Sequence, residues 1–94
     1  LVPMLSFKTF DEVIERANNN DLGLCSYIYT NSMEQAHKAS ELMETGCVAV
    51  NTAAVAVAEA PFGGIKQTGY GREGGSMAIK DYLNIKYTHL GLKN

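Results

Sequence analysis

A chain of 94 residues, 46% hydrophobic and 19% charged, has room for one domain and not for a two-domain enzyme. A net charge of −2, with eight scattered Lys and Arg, excludes an electrostatic nucleic-acid footprint. The longest apolar run, Ala53 to Ala58, holds only alanine and valine and falls far short of the ~20 residues needed to span a bilayer.

Leu, Ile, Val and Phe together supply only 22 of the 94 residues, and ten alanines make up much of the hydrophobic share. A chain this small hides about 65% of its unfolded surface when it folds alone, so a covering partner is expected. The opening Leu1-Val2-Pro3, without an initiator methionine or a leader, reads as the start of a piece of something longer.

In chain order, Leu1 to Phe7 is an apolar run in which Pro3 restricts any sheet role to a strand's start or an edge. Thr9 with Glu12 forms a capping-box pattern. Phe10, Val13, Ile14 and Ala17 then fall on one helical face, and Asn18 to Asn20 with Asp21 and Gly23 end that helix. Leu24 to Tyr29 reads as a strand. Asn31 and Ser32 are candidate caps of a second helix whose stripe is Ala36, Ala39, Leu42 and Met43, with its end at Gly46. Cys47 to Val50 is a short buried strand.

Strand, helix, strand, helix, strand predicts an α/β fold, a parallel sheet with crossover helices on its faces. Beyond Asn51 lies a long loop to residue 75, with Pro61 and six glycines from 63 on; loops of such length are usually functional. A short helix over 76–82 and an alternating strand over Asn84 to Leu90 complete the chain.

Several motifs are weaker than they look. Gly69-Tyr70-Gly71-Arg72-Glu73-Gly74 matches G-x-G-x-x-G, but no strand precedes it and too little chain follows for a dinucleotide-binding unit. Gly64 to Gly69 begins like a phosphate loop, yet Tyr70 and Gly71 stand where Lys and Ser/Thr are needed. Cys25 and Cys47, with His37 and His89 as bases, are the available nucleophiles; their placement suits buried thiols in a reducing, cytoplasmic setting better than catalysis or a disulfide. Two His and two Cys spread this widely show no metal-ligand spacing. For Arg72 and Glu73, a structural salt bridge or a carboxylate at a helix start is the commoner role.

Asn51-Thr52, then Pro61-Phe62-Gly63-Gly64-Ile65-Lys66-Gln67-Thr68-Gly69-Tyr70-Gly71-Arg72-Glu73-Gly74, resembles the C-terminal signature of the NAD(P)-dependent aldehyde dehydrogenase superfamily. Leu22-Gly23-Leu24, Tyr27-Ile28-Tyr29 and the closing Asp81 to Tyr87 are similar to that family too, and the ending is most similar to its succinate-semialdehyde dehydrogenase branch.

The resemblance implies a parent enzyme several times longer, in which thiol attack on an aldehyde, hydride transfer to NAD or NADP and hydrolysis give a carboxylate. The family's catalytic cysteine, general-base glutamate and cofactor site precede this stretch. The chain is therefore expected to carry no catalytic, cofactor-binding or metal-binding residue, to bind no cofactor and to be inactive by itself.

By the family's pattern, residues 1–83 belong to the catalytic α/β domain, with a substrate-mouth loop over 51–75. Ala56, Val57 and Phe62 match positions lining the aldehyde tunnel, while glycines 63, 64, 69 and 71 let the backbone turn tightly. Residues 84–94 match the oligomerisation strand and tail. The partners implied are the rest of the enzyme, other protomers through strand 84–90, and a small aldehyde; nucleic acid and membrane are not among them. Succinate-semialdehyde enzymes usually place a serine in this loop and residues 53–60 have none, so a more apolar aldehyde stands beside succinate semialdehyde. The alternative function is a non-catalytic truncated product that acts as an interaction module.

Overall fold

The computed structural model describes residues 1–93. Helix α1 spans Phe10–Asn18. Its N-cap is Thr9, whose Oγ1 accepts from the Glu12 N–H at 3.2 Å. The Glu12 carboxylate returns the bond one residue further back than the usual capping box, accepting from the Lys8 N–H at 2.9 Å. Phe10, Val13, Ile14 and Ala17 share the half-buried face, as their spacing predicts.

A two-residue strand β1 (Leu22–Gly23) precedes β2 (Cys25–Ile28). Helix α2 covers Met33–Leu42, and Ser32 is its cap, its Oγ accepting from the Gln35 N–H. Strand β3 (Cys47–Val50) returns parallel to β2, with Cys25 opposite Cys47 and Ile28 opposite Val50. The unit β2–α2–β3 is the parallel crossover expected from the alternation of elements. It carries the buried residues Ala36, Ala39, Ala49 and Ser26.

Helix α2 stops four residues short of the expected Gly46. The Asn18 side chain accounts for this: Nδ2 donates to the Leu42 carbonyl at 2.8 Å while Oδ1 accepts from the Glu44 N–H at 2.9 Å. One side chain at the end of α1 thereby takes over the capping of α2 and turns the chain outward. Leu42, expected in the buried stripe, is consequently 50% exposed.

The sheet is smaller and more divided than predicted. Leu1 to Phe7, the first strand expected from the alternation, forms no strand. Instead, β4 (Ile65–Lys66), inside the expected loop, pairs antiparallel with β1. Residues 76–82 condense to a 3-10 turn over Ala78–Tyr82. Asn84 to Leu90 pairs with nothing among the described residues, and Ile85, Tyr87 and Leu90 are exposed. The molecule extends 76 × 27 × 25 Å with a radius of gyration of 19.2 Å, against roughly 13 Å for a compact chain of about this length.

Candidate functional site

The segment after β3 leaves the sheet at Asn51, which adopts a left-handed φ of 56°. Its side-chain amide then pairs with the backbone of Thr30: Oδ1 accepts from the N–H and Nδ2 donates to the carbonyl, both at 2.9 Å. With the Asn51 N–H on the Ile28 carbonyl at 2.8 Å, the ladder between β2 and β3 gains one more rung, made by a side chain. Asparagine tolerates this conformation better than other non-glycine residues do. The start of the loop is thus fixed.

Downstream, Phe62 and Glu73 exchange two backbone hydrogen bonds at 2.7 Å each, an antiparallel bridge that ties the glycine-rich stretch into a closed loop. The Gly75 N–H adds a bond to the Ala58 carbonyl at 2.8 Å. The expected free loop over 51–75 is therefore pinned at its start, at its middle and through β4.

The three residues that the resemblance places along the aldehyde tunnel all lie on the segment between β3 and β4. Phe62 is half-buried and borders a cleft of ≈ 330 Å³ with Leu24, Thr68, Tyr70 and Arg72. Ala56 and Val57 lie outside that cleft on the exposed part of the loop, Val57 at 52% exposure. The loop places all three on one connected segment.

Arg72 does not form the salt bridge anticipated with Glu73. Its Nη1 donates to the carbonyls of Gly64 and Gly71, both at 2.8 Å, and its backbone N–H donates to Asp81 Oδ2 at 2.7 Å. These bonds occupy the loop's interior and leave no cradle for a pyrophosphate. The amides of Gly69, Arg72 and Glu73 already bond to the Lys66 carbonyl, Asp81 and the Phe62 carbonyl. The Asp81 carboxylate also sits where an anion would have to approach. This glycine-rich loop does not fit a dinucleotide pyrophosphate.

Two further residues hold the loop without any signal in the local sequence. Lys66, with φ 57°, donates to the carbonyls of Asn18 and Asn20 at 2.9 and 3.2 Å and pairs with Glu44 at 2.6 Å. Thr68 Oγ1 accepts from the Gly23 N–H at 2.8 Å. Both contacts cross more than forty residues of sequence.

The thiols are half-buried rather than fully buried, and no disulfide joins them. Burial pushes the Cys25 thiol up from its ordinary value, and Cys47 beside it adds to the shift. His37 and His89 are exposed and stand apart from β2 and β3 in sequence, His89 beside the Tyr87 hydroxyl at 3.2 Å.

A model of the aldehyde dehydrogenase family ("Aldehyde dehydrogenase family") matches residues 1–88. The chain belongs to the aldehyde dehydrogenase family. It is 50% identical over 91 residues to 3-sulfolactaldehyde dehydrogenase of Pseudomonas putida, covering 97% of this chain and 19% of that protein. It is 43% identical over 94 residues to a mitochondrial succinate-semialdehyde dehydrogenase of Arabidopsis thaliana, covering 100% of this chain and 18% of that one. Among solved structures, it superimposes with a TM-score of 0.86 at 39% identity on the NAD+ complex of an aldehyde dehydrogenase from Bacillus cereus, covering 95% of this chain and 18% of that chain. The chain spans about a fifth of the length of the relatives it matches. It keeps the family's α/β arrangement with a small parallel sheet. No helix among the described residues is long and apolar enough to cross a membrane.

Proposed function

We propose that this chain supplies a wall of the substrate mouth in an NAD(P)-dependent aldehyde dehydrogenase that converts an aldehyde to a carboxylate. The observation that carries the reading is the pinned loop: the Phe62–Glu73 bridge holds an apolar ring at the cleft, on the segment that also carries the exposed Ala56 and Val57. An aldehyde passage needs such a wall, mostly apolar and built before the substrate arrives. In this reading the nucleophile, its base and the dinucleotide site belong to the rest of the enzyme.

For the aldehyde, we propose a short chain with an anionic far end. Relatives at 50%, 43% and 45% identity are named for 3-sulfolactaldehyde, succinate semialdehyde and glutarate semialdehyde, whose names denote a distal sulfonate or carboxylate. Residues 53–60 hold no hydroxyl or cationic side chain to grip that end, so other parts of the enzyme make that contact. A second role falls to 84–90. Its exposed alternating side chains and unpaired backbone suit addition to a sheet of another protomer.

The test is steady-state oxidation of succinate semialdehyde, glutarate semialdehyde and an uncharged aldehyde of equal length by the intact gene product, with NAD+ and NADP+ in turn. Turnover is expected, with a preference for the anionic aldehydes. Phe62→Ala should raise KM several-fold with a smaller change in kcat, as loss of uniform binding does. Absence of aldehyde-dependent NAD(P)H formation from the intact product would overturn the proposal, and equal KM values in wild type and Phe62→Ala would remove Phe62 from the mouth.

A further inference from the structure

Cys25 and Cys47 are register partners across the parallel pair β2–β3. Partners in a ladder project their side chains from the same face of the sheet. Neighbouring strands lie about 4.8 Å apart, inside the roughly 4.4–6.8 Å between Cα atoms that a disulfide spans. Both thiols are free and half-buried. The Cys47 thiol has one weak partner, the Gly63 carbonyl at 3.7 Å. Among the described residues no third His, Cys, Asp or Glu joins them into a metal-binding group, which leaves the pair as a two-thiol site.

We propose that Cys25 and Cys47 form a dithiol modification site that a small peroxide closes to an intramolecular disulfide. One sulfur attacks the peroxide O–O bond and becomes a sulfenic acid, with one water released from hydrogen peroxide. The other sulfur displaces hydroxide from the sulfenic acid, forming the S–S bond and releasing the second water. Two thiols are oxidised by two electrons and one peroxide is reduced to two waters. The site is separate from the aldehyde chemistry, and its chemistry does not depend on the proposed activity. The consequence is local: the bond would join β2 to β3 three residues before Val50, the strand end from which the substrate-mouth loop departs.

The test is peptide mapping of the intact gene product after brief treatment with hydrogen peroxide under native conditions, followed by alkylation and tryptic digestion without reductant. Cleavage at Arg16, Lys38 and Lys66 places Cys25 in peptide 17–38 and Cys47 in peptide 39–66. A linked pair lighter than the sum of its parts by two hydrogens is expected, and dithiothreitol should split it. Alkylation of the two cysteines should fall together, in equal proportion. In Cys25→Ser or Cys47→Ser the linked pair should vanish, and the remaining cysteine should yield a sulfenic acid that a 1,3-diketone traps. Both peptides remaining fully alkylated, or oxidised to sulfinic acid without a link, would overturn the proposal on wild-type protein alone, whatever the variants do.

Discussion

At the scale of single residues, Asn51 shows how one side chain can serve as backbone. Its amide pairs with Thr30 as a further strand residue would, while its own φ of 56° already turns the chain away. The two functions separate by substitution. Asn51→Gly keeps the left-handed conformation and loses the two bonds, costing about 1–2 kcal/mol. Asn51→Ala loses the bonds and adds the left-handed penalty of a Cβ-bearing residue, a further ~1 kcal/mol. Thermal unfolding of the intact product should therefore rank wild type above glycine, and glycine above alanine.

Glu12 supports a pH prediction on the same scale. The Lys8 N–H holds its carboxyl below the ordinary carboxylate value, and Arg16 at 3.1 Å adds to this. A lowered folded pKa contributes stability above the unfolded value, and the contribution is lost as pH falls through the folded one. The difference in Tm between wild type and Glu12→Gln should thus be present at neutral pH and shrink below the ordinary carboxylate range. It should also diminish in salt, because the carboxylate is exposed. A difference that grew on acidification would reverse the assignment.

Elements whose determinants are local were legible in the sequence. Thr9, the Phe10–Ala17 spacing, Ser32 and the β-forming run before Asn31 encode α1, α2 and β2, and the short apolar run 47–50 adds β3. The failures are non-local. β1 and β4 are two residues each, too short to show periodicity, and exist because Gly23 and Ile65 meet across forty residues of chain. Residues 84–90 have a strand's alternation yet pair with nothing among the described residues, so pattern alone could not decide the outcome. Within the candidate site, Phe62, Ala56 and Val57 were indicated by family resemblance alone. The bridge to Glu73, the Arg72 contacts and the Lys66 clasp are long-range or turn-specific, and no local signal announces them.

The joint between elements predicts one severe substitution. A Cβ on Gly46 would collide with the Gly63 carbonyl oxygen and lie 2.9 Å from the Gly64 Cα. Both obstacles are backbone, so relief requires moving the start of the glycine-rich segment rather than turning a side chain. Gly46→Ala should cost at least the ~1–3 kcal/mol typical of overpacking. It should also loosen the Phe62–Glu73 bridge, read as faster hydrogen exchange of the Phe62 and Glu73 amides.

On the scale of the whole molecule, the interior described above is made of small side chains. The buried apolar residues are Ala36, Ala39 and Ala49, whereas Leu1, Val2, Met4, Leu5, Ile85 and Leu92 are at least three-quarters exposed. Alanine gives up no rotamer freedom on burial, but it removes little apolar surface from water. We propose that the balance of stability lies outside the chain, in surfaces that cover those residues. Folding and association become linked equilibria: whatever binds the folded form draws the population toward it by mass action. For the 94-residue chain alone, the midpoint of thermal unfolding should climb with protein concentration, with sedimentation showing self-association over the same range. A midpoint independent of concentration, for a monomer, would mean that three alanines and a capped helix pair are sufficient by themselves.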